Sequence, residues 1–217
     1  MRYRTVLFDL DGTLIDHLPA IHRSYSHTLP QLGLEAPSYE AVKRAIGGGL
    51  ENAMRNFVTE EQLERALTIY RAYWEKTMLE DVSLQTGGRE LLEALAERGV
   101  RTAVFTNKHG PSSRRVCDHL GVTSLLSGIF GATDTAWLKP QPEFAAHVLE
   151  VLGADAATAC LVGDSSFDVA AAHSGGMEFA GVETGTHTAE ELREAGAGLV
   201  VRDLVQLAAV WALDRAE

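Results

Sequence analysis

The chain has 217 residues, of which 46% are apolar and 23% charged, a composition typical of a globular protein that can bury a substantial core. Its 19 basic and 30 acidic residues give a net charge of −11 at neutral pH. This excess disfavours nucleic acid and anionic membranes as partners, although a local cation can still hold a small anionic substrate within a site.

The two cysteines indicate a reducing compartment. Cys160 lies in an apolar run, where a buried free thiol is expected, and its spacing from Cys117 fits neither a disulfide framework nor a zinc site. Only three consecutive apolar residues precede Asp9, too few for a signal-peptide core, and no apolar stretch approaches the ~20 residues of a membrane span. We therefore expect a cytoplasmic protein without a membrane partner.

The first predicted strand covers residues 5–8, and a long segment without a convincing strand follows it, from about residue 18 to about residue 82. Thr59 and Gln62 have the spacing of a capping box and begin the longest predicted helix. A glycine loop at residues 47–49 separates two shorter helices. The apolar stripe of the long helix consists of Leu63, Leu67, Tyr70, Trp74 and Met78.

Beyond this helical segment, strands and helices alternate. Apolar runs predict strands at residues 100–105, 128–130, 159–162, 178–182 and 198–201, with helical patterns at 89–98, 142–152 and 167–173. Thr188 and Asp203 have the spacing of helix-starting capping boxes. Apolar strands that alternate with helices favour a parallel sheet covered by helices. The sequence therefore predicts an α/β core at residues 1–16 and 83–217, with an all-helical domain inserted at residues 17–82.

Polar side chains follow four of the predicted strands, at the sheet edge where open α/β folds bind their ligands. Asp9 and Asp11 follow the first strand two residues apart, so they share a face, and two like charges this close require a proton or a cation. Taken alone, such an Asp-x-Asp-Gly segment is as well explained by an ordinary turn. The other strand ends add a hydroxyl, an amide, an ammonium group and two carboxylates: Thr106, Asn107, Lys139, Asp164 and Asp168.

Four carboxylates, one hydroxyl and one ammonium group suit phosphoryl transfer with a divalent cation. Asp9 is the predicted nucleophile, which forms an aspartyl-phosphate, and Asp11 is the predicted acid and base for the leaving group and the attacking water. Mg²⁺ is the predicted cofactor, held by Asp9, Asp164 and the backbone carbonyl of Asp11, because a metal offsets the repulsion between carboxylate and phosphate. Thr106 and Lys139 are expected to bind the transferring phosphoryl group.

These residues resemble the four motifs of the haloacid dehalogenase superfamily, specifically its phosphatases with a helical cap inserted after the first strand. In chain order the matching segments are Asp9-x-Asp11-Gly-Thr, Thr106-Asn107, Lys139-Pro140 and Gly163-Asp164-x-x-x-Asp168. The resemblance spans nearly the whole chain. It implies a Rossmann-like core, dependence on Mg²⁺, and a cap domain at residues 17–82 that closes over the substrate. It also implies that Asp168 supports the metal site or Lys139 without binding the metal itself.

Other members of the superfamily remain as alternatives. Dehalogenases use no metal and lack the second aspartate of the first motif, so Asp11 argues against them. Phosphonate hydrolases use a cap lysine as a Schiff-base amine, but Lys43 and Lys76 lie in polar helical surroundings typical of surface charges. Sugar phosphomutases carry a hinge histidine after the first motif. His17 and His22 are close to that position without matching it, so a mutase remains an alternative, as does a pyrophosphatase.

The resemblance points to the phosphoglycolate phosphatases within this superfamily. Residues 16–21, 46–51 and 106–108 are similar to their corresponding segments, whereas His17 and the apolar Trp137-Leu138 before Lys139 depart from them. We therefore predict a phosphatase of small phosphorylated metabolites. A receiver-type phosphorylation switch is the alternative from another class, but receiver domains are much shorter and have no helical insert. The residues predicted to contact the substrate are Thr106, Asn107, Lys139, Gly47, Gly48 and Gly49.

Overall fold

A six-stranded parallel sheet lies at the centre of the fold in the computed structural model, which describes residues 2–213. The strands along the chain are β1 Thr5–Phe8, β2 Ile15–Asp16, β3 Ser83–Leu84, β4 Arg101–His109, β5 Ile129–Ala132, β6 Ala159–Gly163, β7 Glu178–Val182 and β8 Leu199–Val201. The sheet has the order β5-β4-β1-β6-β7-β8, and all its pairings are parallel. This is the doubly wound order in which the strand sequence reverses beside β1, so the predicted α/β, Rossmann-like class is confirmed.

Ten α-helices accompany these strands within residues 2–213. They are α1 Leu18–Thr28, α2 Tyr39–Ala45, α3 Leu50–Met54, α4 Glu60–Thr77, α5 Gly88–Glu97, α6 Gly110–His119, α7 Pro142–Leu152, α8 Ser166–Ser174, α9 Ala189–Glu194 and α10 Leu204–Val210. The starts of α4 and α9 are the capping boxes predicted at Thr59 and Thr188, and Asp203 caps α10 by accepting from the amide of Gln206 at 2.8 Å. These side chains satisfy amides that the first helical turn leaves without a partner.

Alternate strand residues face two separate apolar layers. Val6 and Phe8 of β1 pack under α5, α6 and α10, whereas Leu7 between them packs under α7, α8 and α9. Both layers are buried, so the strands carry nearly continuous apolar sequence, as a parallel sheet covered on both faces requires. The polar residues that follow β1 and β6 therefore come together at one edge of the sheet.

The helices α1 to α4 have an apolar core of their own. Tyr25 of α1, Met54 of α3, and Tyr70 and Trp74 of α4 are all buried in it. The segment joins the sheet through β2 and β3, which pair antiparallel as a separate ribbon. Two residues per strand are too few to give a periodic pattern, and sequence reasoning missed both strands. The domain division at residues 16/17 and 82/83 stays a prediction, and Met1 and residues 214–217 lie outside the described residues.

The second predicted strand is longer than expected, since β4 continues to His109 instead of ending at residue 105. Thr106 and Asn107 thus lie inside a strand and not in a turn beyond it. The ladder with β5 shifts register between Phe105 and His109, which lets this polar stretch continue along the sheet edge. Among residues 2–213 no helix has the length and apolar character needed to cross a membrane.

Candidate active site

Three buried carboxylates meet where β1 and β6 end. Asp9 follows β1, Asp164 follows β6, and Asp168 lies in the first turn of α8. One oxygen from each lies within 4.8 Å of the others. β1 and β6 are hydrogen-bonded neighbours, and the amide of Asp9 donates to the carbonyl of Val162 at 2.9 Å. The sheet itself therefore brings these acidic residues together.

Lys139 neutralises part of this charge. Its Nζ lies 2.8 Å from Asp9 Oδ1 and 2.5 Å from Asp168 Oδ1, and its side chain is only 1% exposed. Asn107 fixes the lysine backbone, because its side-chain oxygen accepts from the Lys139 amide at 2.7 Å and its Nδ2 donates to the Lys139 carbonyl at 3.0 Å. Pro142 begins α7 three residues later, as predicted. One buried ammonium group thus forms ion pairs with two carboxylates.

The pKa values of the cluster reflect this surplus of negative charge. Burial, Asp168 and Asp9 raise the pKa of Asp164 to about 7. Burial also raises the pKa of Asp9 to about 6, although Lys139 and Thr106 act in the opposite direction. Burial would lower the pKa of Lys139, but Asp168 and Asp9 outweigh it and raise that pKa. The cluster contains three carboxylates and one ammonium group, and its carboxylate oxygens are ligands that suit a divalent cation.

Asp164 is held by two threonines that the sequence analysis did not place in the site. Thr13 Oγ1 donates to Asp164 Oδ1 at 2.7 Å, and the amide of Thr186 donates to Oδ2 at 2.8 Å. Gly12 makes the approach possible, since it has φ +83° and a Cβ there would lie 2.9 Å from Asp164 Oδ2. Thr186 follows β7, so examining the end of that strand as well would have identified it.

Asp11 does not join the carboxylate cluster with its side chain. Lys108 Nζ lies 2.9 and 2.8 Å from its two oxygens, and the same ammonium group lies 4.5 Å from the ring centroid of Trp74. His17 Nδ1 is 3.4 Å from Asp11 Oδ1. Burial would raise the pKa of Asp11, but Lys108 and His17 together lower it well below its usual range. The carboxylate is therefore ionised and fixed in place.

His17 connects Asp11 to the segments that join the helical domain to the sheet. It precedes α1, and its Nε2 donates to the carbonyl of Met78, the residue that follows α4, at 2.6 Å. Its ring lies 4.8 Å from that of Trp74. Burial and Lys108 lower the pKa of His17. The sequence left the roles of His17 and Lys108 open, and the structure places both on Asp11.

The glycine loop of the helical domain touches the sheet edge. Asn107 Nδ2 donates to the carbonyl of Gly47 at 3.0 Å, and a Cβ on Gly48 would lie 3.0 Å from the ring of Phe167. Gly49, with φ +87°, faces the Asn107 carbonyl. Behind this loop lies a cavity of about 630 Å³ that the three glycines line together with Asp9 and Asp11.

The structure thus brings most predicted site residues to one place. Thr106 lowers the pKa of Asp9, and its hydroxyl accepts from the amide of Lys108 at 3.2 Å. Asp168 supports Lys139 and also accepts from the amide of Ser165 at 3.0 Å. Their catalytic and metal-binding roles stay predictions.

Comparison with known proteins identifies the family. The model of the haloacid dehalogenase-like hydrolase family matches residues 6–182. The chain belongs to this family. The hydrolase is 32% identical over 202 residues to the "Probable phosphatase IndB" of Dickeya dadantii, covering 90% of this chain and 88% of the relative. It is also 32% identical over 215 residues to a phosphoglycolate phosphatase of Rhodospirillum rubrum, covering 94% and 89%.

Solved structures agree with this assignment. The crystal structure of a predicted phosphoglycolate phosphatase from Haemophilus somnus superposes with a TM-score of 0.90 at 24% identity, over 97% of this chain and 99% of that chain. At this identity the likeness shows the fold. The predicted superfamily and the predicted enzyme class, a phosphoric monoester hydrolase, are confirmed. Phosphatases of this family generally use a divalent metal, which agrees with the buried carboxylates of this hydrolase.

Proposed function

We propose that this hydrolase is a Mg²⁺-dependent phosphatase that cleaves small phosphomonoesters through a phosphorylated Asp9. The observation that carries the proposal is the division of the aspartates into two sets. Asp9, Asp164 and Asp168 share one buried cluster with Lys139, whereas Asp11 is held apart by a different lysine. Phosphate ester hydrolysis needs two such components. One is a nucleophile beside a cation site, and the other is a separate group that acts first as acid and then as base.

Asp9, Asp164 and the backbone carbonyl of Asp11 are the groups proposed to hold Mg²⁺. When bound, the metal would neutralise the charge that builds up as an anionic carboxylate approaches a phosphate ester. Asp168 is proposed to position Lys139 and not to bind the metal, because its oxygens already accept hydrogen bonds from Lys139 and Ser165. Thr13 and Thr186 orient Asp164 through both of its oxygens, so that its position does not depend on the metal alone.

Asp9 attacks phosphorus in the proposed reaction and must be ionised to do so. Burial raises its pKa to about 6, and Lys139 at 2.8 Å and Thr106 limit this rise, so Asp9 is mostly ionised at neutral pH. The bond from phosphorus to the ester oxygen breaks as the bond to Asp9 forms. The Lys139 ammonium group and the Thr106 hydroxyl stabilise charge on the transferring group. Water then cleaves the acyl phosphate and releases inorganic phosphate.

Asp11 is proposed to give a proton to the departing alkoxide and later to take one from the attacking water. While Lys108 holds both of its oxygens, Asp11 stays ionised, so the acid role requires this ion pair to open during the cycle. The pair lies against Trp74 of α4, and His17, whose Nδ1 is 3.4 Å from Asp11, hydrogen-bonds to the Met78 carbonyl. Movement of the helical domain would therefore also change the contacts of Asp11.

The substrate is proposed to be a small phosphorylated metabolite, with phosphoglycolate as the first compound to test because of the Rhodospirillum rubrum relative. The glycine loop lies against Asn107 at the mouth of the cavity, which supports its proposed contact with the substrate. The two free cysteines, Cys117 and Cys160, are both buried, which supports the proposed cytoplasmic location.

Steady-state hydrolysis of a panel of esters tests the proposal: phosphoglycolate, pyrophosphate, hexose phosphates, nucleotides and a generic aryl phosphate, each with Mg²⁺ and with a chelator. Asp9→Asn should abolish phosphate release, and Asp118→Asn, at an exposed acid of α6, serves as the matched control. Substantial turnover by Asp9→Asn would refute the nucleophile assignment. Isomerisation of a hexose phosphate without phosphate release would instead identify a mutase.

A further inference from the structure

The side chain of Asn107 bonds to backbone groups through both of its polar atoms. Its Nδ2 donates to the carbonyls of Gly47 and Lys139, both at 3.0 Å, and its Oδ1 accepts from the Lys139 amide at 2.7 Å. Because a carbonyl only accepts and an amide N–H only donates, these partners fix the orientation of the carboxamide. The residue is 4% exposed. Both amide protons are used, so the side chain has no donor left for the oxygens of a phosphate ester.

Lys139 is held at both ends. Asn107 bonds to its backbone amide and carbonyl, while its Nζ lies 2.8 Å from Asp9 Oδ1 and 2.5 Å from Asp168 Oδ1. A lysine ammonium group lies at the end of a flexible four-carbon stem, so its position depends on where the backbone is fixed. A shift of the Lys139 backbone would therefore move the ammonium group relative to the proposed nucleophile.

The glycine loop of the helical domain touches both supports of this lysine. Gly47 accepts the hydrogen bond from Asn107, and a Cβ on Gly47 would lie 3.0 Å from the ring of Phe167. Phe167 precedes Asp168 in the first turn of α8. The close approach requires a glycine, since φ at position 47 is +124°. One loop thus lies against the residue that holds the lysine backbone and against the helical turn that supplies a carboxylate to its ammonium group.

We propose that Asn107 is a positioning residue that acts through Lys139 and links this lysine to the glycine loop. While the loop lies against Asn107, the ammonium group is fixed where it stabilises charge on the transferring phosphoryl group. When the loop moves away, Asn107 loses one of its three bonds, and its carboxamide is free to leave the orientation in which it holds the Lys139 backbone. Turnover is thereby coupled to the position of the helical domain. The inference rests on the proposed phosphatase function and adds a residue to its machinery.

Asn107→Asp is the first test, because it keeps the shape of the side chain and places an oxygen opposite two carbonyl oxygens. The kcat should fall about 10- to 100-fold, since a displacement of about 1 Å at a reacting group can cost this much. The loss should be similar with phosphoglycolate and with a small aryl phosphate, and KM should change less than about twofold. A side chain that binds the substrate directly would instead raise KM, so a raised KM with unchanged kcat would overturn the proposal.

Asn56→Asp is the matched control. The Nδ2 of Asn56 also donates to two backbone carbonyls, those of Asn52 and Ala53, at 3.2 and 3.1 Å. The residue is exposed in the helical domain and does not line the cavity. Its substitution should leave kcat and KM unchanged. A loss of kcat in this control equal to that in Asn107→Asp would point to general loosening of the protein instead of the position of Lys139, and would overturn the proposal.

A double-mutant cycle tests whether Asn107 acts through Lys139. Asn107→Ala should lower kcat in the wild-type background but have less than about a twofold effect in a Lys139→Met background, because the lysine that it positions is then absent. Single-turnover rates with saturating Mg²⁺ measure the slow variants, and urea unfolding confirms that each variant is folded under the assay conditions. Equal fold losses in the two backgrounds would contradict an action through Lys139.

Hydrogen exchange tests the link to the glycine loop without relying on turnover. The chain has four lysines, so ¹⁵N-lysine labelling gives a simple spectrum in which the Lys139 amide can be followed by NMR. Gly47→Ala places a Cβ against Phe167 and should speed exchange of the Lys139 amide about tenfold or more, while the amide of Lys76 in α4 should exchange as before. An unchanged Lys139 amide would refute the link to the loop.

The outcomes separate this inference from the proposed function. If Asn107→Asp hydrolyses esters as fast as the wild-type enzyme while Asp9→Asn is inactive, the inference fails and the proposed function stands. A wild-type enzyme that hydrolyses no phosphate ester would refute both.

Discussion

Replacement of Lys139 by methionine should destabilise the folded protein strongly in the absence of metal. The substitution keeps most of the side-chain volume but removes the ammonium group 2.8 Å from Asp9 and 2.5 Å from Asp168. Three carboxylates then remain within 4.8 Å of one another with no cation among them. Removing one partner from a buried ion pair typically costs about 3–5 kcal/mol, and this lysine side chain is 1% exposed.

The stability lost in the Lys139→Met variant should increase as pH rises. Burial already raises the pKa of Asp9 above its ordinary value, to about 6, and Lys139 opposes this rise. Without the lysine the pKa of folded Asp9 rises further, so the folded state binds more protons than the unfolded state at neutral pH. Stability then falls as pH rises. The variant should therefore approach wild-type stability near pH 5 and lose the most near pH 8.

Urea unfolding in the presence of a chelator at pH 5, 6, 7 and 8 measures this pH dependence of the free energy of unfolding directly. Lys76→Met, at an exposed residue in the last turn of α4, is the matched control and should change the free energy of unfolding by less than about 0.5 kcal/mol. A Lys139→Met protein as stable as the control at pH 8, or one whose deficit grows towards pH 5, would refute the electrostatic account of the cluster.

Three further substitutions address the remaining parts of the site. Asp11→Asn should lower kcat about 10²- to 10⁴-fold with little change in Mg²⁺ affinity, and a large loss of affinity in a metal titration would contradict its acid and base role. Lys108→Met should let the pKa of Asp11 rise, moving the basic limb of the kcat/KM profile, where Asp11 loses the proton that it donates, to higher pH, whereas an unchanged limb would argue against this ion pair. Gly48→Leu places a side chain against Asn52 and Phe167, so it should alter selectivity among esters more than turnover of a small generic one. Equal loss with every ester would exclude a role of the loop in selectivity.

The sheet and its polar edge could be predicted because both depend on local sequence. Apolar runs mark buried strands such as Thr5–Phe8, and in a parallel sheet the residues after each strand reach a common edge. The same rule predicts Asp9, Asp164 and Lys139 as residues of the common edge. The short ribbon of β2 and β3 could not be predicted, because two residues per strand are too few to show the alternation of apolar and polar residues that marks a strand.

The contacts of Asp11 could not be predicted from the sequence. Lys108 lies 97 residues further along the chain, and the register of β4 decides that its ammonium group reaches Asp11. In the sequence His17 stands out as a departure from the phosphoglycolate phosphatase pattern and as a residue near the hinge histidine of the phosphomutases. Its hydrogen bond to Met78 and the 3.4 Å approach of its Nδ1 to Asp11 depend on how the helical domain packs.

The position of the phosphoryl group in the trapped enzyme tests the central claim most directly. Wild-type protein is mixed with a hydrolysable phosphate ester and Mg²⁺, quenched in acid during turnover and reduced with borohydride, and the modified peptide is identified by mass spectrometry. The proposed function predicts that the peptide containing Asp9 carries the modification at that residue, and that Asp9→Asn shows none. Modification of a different residue, or continued turnover by Asp9→Asn, would contradict it.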